Sequence, residues 1–277
     1  MFKKIAIIGL GLMGGSLAAA CRKQFPKARV VGITRDRKAL AFALRKKWIH
    51  EGTHDILKGA RGVDAAVLCV PVDVYLTIMK KLDRVAASHA LVMDVGSVKG
   101  EIQKNIERKN WKRLSFVGTH PMVGSHERGI GAASPKLYGQ GTVILTPTQK
   151  TCPRSYKTAK KFWGRIAGKT VCLSPEVHDK LIAEISHLPH AVAVCLVHLA
   201  SPQALPLAAA GFRDTTRVAA SSSSVWKPIF EANKRQMLTH LKRFEKELKR
   251  FRKNLCRGKA SALERYLTTA QEKRKRL

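Results

Sequence analysis

Acidic residues are scarce in this sequence of 277 residues: 19 Asp and Glu stand against 52 Lys and Arg, which gives a formal net charge of +33. Such an excess is typical of proteins that bind nucleic acid. Aromatic residues make up only 6% of the chain, and no basic stretch is interleaved with aromatics as a base-stacking surface requires. We therefore expect no specific nucleic-acid partner, although the charge favours nonspecific association at low salt.

Cysteine is sparse and scattered, with six residues and no C-x-x-C pair. This pattern is typical of free thiols in a reducing compartment. Long apolar runs are missing too, since none approaches the ~20 residues of a membrane span, and the N-terminus lacks the layout of a signal peptide. We therefore expect a cytoplasmic protein without disulfides and without a membrane partner.

The first 22 residues carry the pattern around which the chain is organised. A short apolar run at 5–8 is typical of a buried parallel strand, and Gly9, Gly11 and Gly14 then form G-x-G-x-x-G at the start of a helix. In a strand–turn–helix unit, such glycines let a pyrophosphate approach the backbone at the helix N-terminus. The pattern predicts dinucleotide binding, with a purely structural turn as the alternative.

Strand and helix signals alternate up to residue 174, which predicts an α/β fold with a doubly wound parallel (Rossmann) sheet. Ligands bind such sheets beyond the carboxyl ends of the strands. Beyond residue 174 the strand signals stop, so we expect a dinucleotide-binding domain over 1–174 and an all-α domain over 175–277. Further strands are expected over 28–34, 63–70, 90–95, 114–119, 142–146 and 169–173, and helices over 37–47 and 153–167.

The end of the second predicted strand bears on the choice between NAD and NADP. A fold that binds NAD usually places Asp or Glu there to bind the ribose hydroxyls, but this position falls on Thr34, followed by Arg35. Arg35 or Arg37 can hold a 2′-phosphate, so NADP is favoured over NAD. A register shifted by two would instead make Asp36 the ribose acid. The expected cofactor contacts are Gly9, Gly11, Leu12, Met13, Gly14, Thr34, Arg35 and Val70.

A histidine follows the fifth predicted strand. His120 precedes Pro121 and is expected at the edge of the sheet where the nicotinamide would bind. An unperturbed imidazole titrates near neutral pH and is suited to be a general base. The alternative is a structural histidine at the strand end.

Five segments together resemble the TyrA family, the prephenate and arogenate dehydrogenases of tyrosine biosynthesis. They are GLGLMGGSLA, DVGSVKG, GTHPMVGS, SHLPH and GFRDTTRVA, in the family's order over residues 9–219. The resemblance implies oxidation of a cyclohexadienol, with hydride passing to a nicotinamide and the ring carboxylate leaving as carbon dioxide. It also implies that His120 accepts the hydroxyl proton and that Ser97 hydrogen-bonds both the histidine and the substrate hydroxyl.

The resemblance also assigns substrate contacts in the second half of the chain. His190 is expected to contact the substrate side chain, and Arg217 is expected to hold the ring carboxylate through a two-pronged guanidinium contact. His187 is expected to be structural or to support the site, and Arg213 to pair with Asp214. Two histidines three apart on a helix can ligate a metal, but no third ligand is evident and hydride transfer needs none, so no metal is expected.

A basic helix is predicted from Pro228 onward. Its apolar residues recur at alternating steps of four and three, which is a heptad-like seam, and 261–277 is expected to be a short helix with a basic tail. The seam is either a packing face within the domain or a dimer contact, and the resemblance supports a homodimer through the C-terminal helices. The seam residues are Met237, Leu241, Phe244, Leu248, Phe251 and Leu255.

Prephenate and arogenate differ at one group, a pyruvyl ketone against an ammonium. An acid near that group would favour arogenate. Ser125 and His126 are the expected substrate contacts after His120, and His126 occupies the place where some family members carry an acid, although Glu127 follows. We favour prephenate, with arogenate as the alternative substrate. A β-hydroxyacid dehydrogenase and a basic, nucleotide-sensing or RNA-associated protein are the competing functions.

Overall fold

The predicted parallel sheet is confirmed in the structure, a computed structural model that describes residues 2–124, 127–256 and 260–276. Six parallel strands lie in the order β3-β2-β1-β4-β5-β6. The first strand is central, since Ile5 pairs with Val30 on one side and with Ala65 on the other. The strands are β1 (Lys4–Ile8), β2 (Arg29–Ile33), β3 (Glu51–Thr53), β4 (Ala65–Leu68), β5 (Ala90–Asp94) and β6 (Leu114–Phe116).

Helices connect these strands. The N-terminus of the second helix is set by Asp36, whose carboxylate accepts the main-chain N–H groups of Lys38 at 2.9 Å and Ala39 at 3.1 Å, as expected of an N-cap. The strand β3 and the third, fourth and fifth helices were not among the predicted elements. The five helices are α1 (Leu12–Gln24), α2 (Arg37–Arg45), α3 (Ile56–Gly59), α4 (Tyr75–Val85) and α5 (Gly100–Glu107).

The single strand predicted over 114–119 was wrong. The chain leaves the main sheet after β6, and β7 (Gly118–Pro121) pairs antiparallel with β8 (Thr142–Thr146) in a second sheet. The helix α6 (Pro153–Ile166) then leads to β9 (Lys169–Cys172), which pairs parallel with β8. Val117, between the two strands, is fully buried, so the apolar run continues without a break although the pairing changes.

Both faces of the main sheet are covered. On one face α6 contributes Phe162 and Trp163 to a core with α1 and the strands, and the ring of Phe25, directly after α1, stacks on Phe162 at 5.1 Å. On the other face α4 contributes Tyr75 and Met79. Burial of a large side chain of this kind is worth about 1.5–3 kcal/mol, so these two layers hold the strand ends rigidly in place.

The described chain after β9 is helical. Ser174 caps α7 (Pro175–Ile182) by accepting the N–H of Val177 at 3.2 Å, as is usual for a serine at this position. A wide π-helical turn, Ala183–His187, joins α7 directly to α8 (Leu188–Leu199). The later helices are α9 (Ala210–Thr216), α10 (Ser223–Ala232), α11 (Lys234–Cys256) and α12 (Ala260–Lys275), with a 3₁₀ turn, Arg217–Ala220, between α9 and α10.

The basic helix predicted from Pro228 begins elsewhere. Pro228 lies inside α10, and the chain breaks at Asn233 before α11 begins. Along α11 the predicted apolar seam is buried only at its start: Met237 is 5% exposed, whereas Leu248 and Leu255 are 52% and 59% exposed. The final helix, α12, is also longer than the short helix expected.

One helical run meets the length and composition of a membrane span. Within the described ranges it is Pro175–Leu199, with a mean hydropathy of 1.4, of which 28% is buried. The expectation that no segment approaches this length therefore needs correction. A single such helix is weak evidence, because the core helix of a soluble protein passes the same test, and this one carries buried polar side chains toward the sheet.

Candidate active site

The glycine loop between β1 and α1 has the shape that a dinucleotide needs. Gly9 has φ +94°, and a Cβ there would collide with the carbonyl of Cys69 and with Val70. A Cβ on Gly14 would collide with the carbonyl of Gly9, whereas one on Gly11 would meet nothing within 4 Å. The backbone at Gly11 is therefore open to a ligand beside the first N–H groups of α1, as a pyrophosphate requires.

The other predicted cofactor contacts border this loop. Leu12 and Met13 open α1, and the main-chain carbonyl of Met13 accepts the Tyr138 hydroxyl at 2.9 Å. Thr34 directly follows β2, and Arg35 is exposed. The alternative ribose acid two residues past the strand, Asp36, uses its carboxylate as the cap of α2 instead.

His120 lies on β7 and is 8% exposed. Its Nδ1 is 2.9 Å from Nε2 of His178 on α7, and Nδ1 of His178 is 2.8 Å from Oδ1 of Asp179. The carboxylate of Asp179 also accepts the N–H groups of Lys99 and Gly100, each at 2.8 Å. The buried side chains of His120, His178 and Asp179 therefore form a hydrogen-bonded chain that connects β7 to α7.

Burial is the main influence on the histidines of this cluster. It lowers the pKa of His120 well below its usual value, and His178, Lys99 and His187 lower it further. Burial also lowers the pKa of His178, against the raising effect of Asp179, and it lowers the pKa of His187 to about 4. All three imidazoles are therefore neutral at neutral pH, so His120 can accept a proton.

A buried ion pair lies at the carboxyl end of β5, close to His120. Nζ of Lys99 is 2.5 Å from Oδ2 of Asp94, and the two side chains are each 1% exposed. The same carboxylate accepts the Tyr75 hydroxyl at 3.1 Å and the N–H of Gly96 at 3.0 Å, while its other oxygen accepts the N–H of Thr119 at 2.9 Å. The carboxylate thus fixes the residue that precedes His120.

Several polar atoms near this cluster have no hydrogen-bond partner in the described part of the chain. They include Oγ of Ser97, Nδ1 of His190 and Nε2 of His187, so the expected hydrogen bond between Ser97 and His120 is not formed in this structure. The ring of His190 stacks on Trp226 with centroids 3.5 Å apart, and Nδ1 of His187 lies 3.1 Å from the side-chain amide of Asn233. Buried polar atoms normally find partners, so these unpaired atoms are suited to bind a polar ligand.

Arg217 is exposed and begins the 3₁₀ turn that packs against α8, the helix of His190. The guanidinium of Arg128, in the loop after His120, donates to the carbonyl of Ala220 at the end of that turn. The loop of His120 and the turn of Arg217 therefore meet. The predicted pairing of Arg213 with Asp214 was wrong, because Nε of Arg213 donates to the carbonyl of Ala208 at 3.0 Å.

Two predicted substrate contacts, Ser125 and His126, lie outside the described residues. His178, Asp179 and the Asp94–Lys99 pair were not among the predicted site residues. The pair stands within DVGSVKG, five residues apart, as an acid at a strand end followed by a lysine. For His178 and Asp179 the only signal is an adjacent His–Asp in the first turns of a helix.

Known proteins resemble this chain along most of its length. The family description "Prephenate dehydrogenase, nucleotide-binding domain" matches residues 17–172, and "Prephenate dehydrogenase, dimerization domain" matches residues 174–269. Prephenate dehydrogenase of Bacillus subtilis (strain 168) is 35% identical over 277 aligned positions, which cover 98% of this chain and 75% of that protein. Cyclohexadienyl dehydrogenase of Zymomonas mobilis is 32% identical and covers 91% of this chain and 88% of its own.

Solved structures give the same result. Prephenate dehydrogenase from A. aeolicus, in complex with hydroxyphenyl propionate and NAD+, has a TM-score of 0.92 at 33% identity and covers 100% of this chain and 98% of its own. Synechocystis arogenate dehydrogenase has a TM-score of 0.82 at 27% identity over 99% of both chains. Likeness at this level of identity, together with two adjoining family descriptions, leads to one conclusion: the chain belongs to the prephenate dehydrogenase family.

Proposed function

We propose that this protein oxidatively decarboxylates prephenate to 4-hydroxyphenylpyruvate with NADP+ as the hydride acceptor. The observation that supports this best is a buried His120 that follows Thr119 beside the carboxyl end of β5, at the same edge of the main sheet as the open backbone of Gly11 that would hold a dinucleotide. A bound nicotinamide would supply the hydride acceptor. NAD+ is the alternative cofactor, and arogenate is the alternative substrate.

Four residues have distinct roles in the proposed reaction. His120 accepts the hydroxyl proton as the ring carbon gains carbonyl character, and Ser97 orients that hydroxyl. Arg217 binds the ring carboxylate, since a guanidinium can hold both of its oxygens, and His190 contacts the side chain of the substrate. The chain thus contributes placement and one proton transfer, and general-base catalysis of this kind typically contributes about 10²–10⁴-fold.

In the decisive experiment, purified protein is assayed with prephenate and with arogenate, each in the presence of NAD+ or NADP+. The absorbance of the reduced cofactor is followed over time. We expect the highest kcat/KM for prephenate with NADP+. If all four combinations are inactive while the protein is folded, the dehydrogenase proposal is wrong.

The preference for NADP+ rests on Arg35. Arg35→Ala should lower kcat/KM for NADP+ by about 10–100-fold, because a charge-assisted hydrogen bond contributes about 1.5–3 kcal/mol, and should change kcat/KM for NAD+ little. Arg45→Ala, at the exposed far end of α2, is the matched control and should change neither. An equal loss with both cofactors would contradict a role for Arg35 in binding the 2′-phosphate.

The choice between substrates is tested at His126. An acid in this position would attract the ammonium of arogenate, so His126→Asp should shift the ratio of kcat/KM values toward arogenate. The measurement compares the two substrates with the same cofactor in the same preparation. An unchanged ratio would remove the argument that this position distinguishes the substrates.

A homodimer through the C-terminal helices completes the proposal. The dimerization-domain description covers 174–269, and Leu248, Phe251 and Leu255 leave an exposed apolar stripe on α11 that a second copy would cover. We propose a cytoplasmic location from the cysteine pattern. Neither proposal involves a nucleic acid or a membrane.

A further inference from the structure

His178 lies behind His120 and has no part in the roles assigned so far. Its ring is fully buried and connects Nδ1 of His120, 2.9 Å away, with the carboxylate of Asp179, 2.8 Å away. A buried, polar side chain with a partner at each ring nitrogen has a fixed orientation. The two contacts therefore also constrain where the protons of both rings lie.

The protons follow from the acceptor at the end of the chain. An ionised carboxylate only accepts hydrogen bonds, and Asp179 already accepts the N–H groups of Lys99 and Gly100. Nδ1 of His178 must then be the donor, which leaves its Nε2 as an acceptor in the neutral ring. Nδ1 of His120 must donate to that Nε2, so Nε2 of neutral His120 carries no proton.

We propose that His178 is a positioning residue that holds His120 in the Nδ1–H tautomer, so that Nε2 of His120 is the atom that accepts the substrate proton. Asp179 in turn sets the tautomer of His178. This inference rests on the proposed dehydrogenase function for its catalytic consequence. Its structural part, the tautomer of His120, does not depend on which substrate is oxidised.

The arrangement also stabilises the product of proton transfer. When the substrate hydroxyl gives its proton to Nε2 of His120 and the carboxylate leaves as carbon dioxide, a bound nicotinamide would accept the hydride of the ring carbon. The resulting imidazolium still donates from Nδ1 to His178, which donates to the carboxylate of Asp179. The negative charge at the end of the chain offsets a positive charge that burial alone disfavours, as in other histidine–acid arrangements.

Other charged and titratable groups surround the two rings. Lys99 disfavours positive charge on both, and His187 disfavours it on His120. Asp94 favours positive charge on His178 but is itself bound to Nζ of Lys99. Among these groups, Asp179 is the anion in direct contact with the His178 ring. The tautomers of His178 and His120 therefore depend on this contact rather than on the more distant charges.

The test combines ring-nitrogen NMR with kinetics on the full-length protein. In the wild type, ¹⁵N shifts should show His120 protonated at Nδ1 and bare at Nε2. His178→Leu removes the acceptor and should release the other tautomer and lower kcat for prephenate with NADP+ by about 10–100-fold with KM within about twofold. His178→Gln keeps an acceptor oxygen and should retain the Nδ1–H tautomer with a smaller loss of kcat.

The control is His240→Leu, which removes a buried histidine of α11 outside this cluster and should leave tautomer and kcat unchanged. The proposal is overturned if wild-type His120 carries its proton at Nε2, a measurement that needs no variant. It is also overturned if folded His178→Leu retains the wild-type tautomer and kcat. If His120 carries its proton at Nδ1 but the protein is inactive on both prephenate and arogenate, the proposed function is wrong while the inference about the tautomer stands.

Discussion

Replacing His120 by alanine should lower kcat for prephenate oxidation by about 10²–10⁴-fold, the usual contribution of a general base, with little change in KM. The side chain accepts a proton only as the substrate is oxidised, so its loss affects the transition state more than the bound ground state. Steady-state kinetics with saturating NADP+ measures both constants.

The pH profile makes this prediction sharper. Burial lowers the pKa of His120 below its ordinary value, so the neutral, active form persists to a lower pH than for an exposed histidine. Wild-type kcat should therefore fall only on the acid side of that ordinary value, and this acid limb should disappear with His120→Ala. His89→Asn, an exposed histidine at the amino end of β5, is the matched control. A similar kcat for His120→Ala and the control would exclude His120 as the base.

Asp94→Asn should lower the free energy of unfolding by about 3–5 kcal/mol, the usual cost of leaving one partner of a buried ion pair without its counter-charge. The substitution preserves shape but removes the charge opposite Lys99, which has almost no access to water. It also weakens the acceptor for the N–H of Thr119, beside His120. Urea unfolding followed by circular dichroism gives the value.

Glu51→Gln is the control for this change from carboxylate to amide. Its partner is Arg29, and the two side chains are 42% and 61% exposed. Water and salt screen an exposed pair, so the expected loss is about 0–1 kcal/mol. Equal losses for the two variants would mean that the Asp94–Lys99 pair is not the desolvated interaction that its burial indicates.

The sequence predicted the features that depend on local pattern. The glycine loop is encoded within a few residues, and the parallel sheet follows from repeated strand and helix signals. His120 could be singled out because it follows a strand and precedes a proline. Its participation in a buried hydrogen-bonded cluster could not be read from those neighbours.

The features that the sequence did not predict depend on contacts between distant residues. The apolar run at 114–119 does not show that its halves join different sheets, because only the partner β8 determines this. The role of His178 depends on His120, 58 residues away. Pairing across such separations has no signal in one sequence.

The wide turn Ala183–His187 sets the rotational register of the long helix that carries the site. In a regular α-helix of about 3.6 residues per turn, His178 and His190 would lie roughly 120° apart around the axis, and the wider turn takes up part of that angle. Because such a turn accommodates one extra residue, restoring regular α-helical winding over the same residues would leave His178 against His120 but rotate everything downstream by roughly 100°. The turn thus sets the rotation of α8 relative to α7.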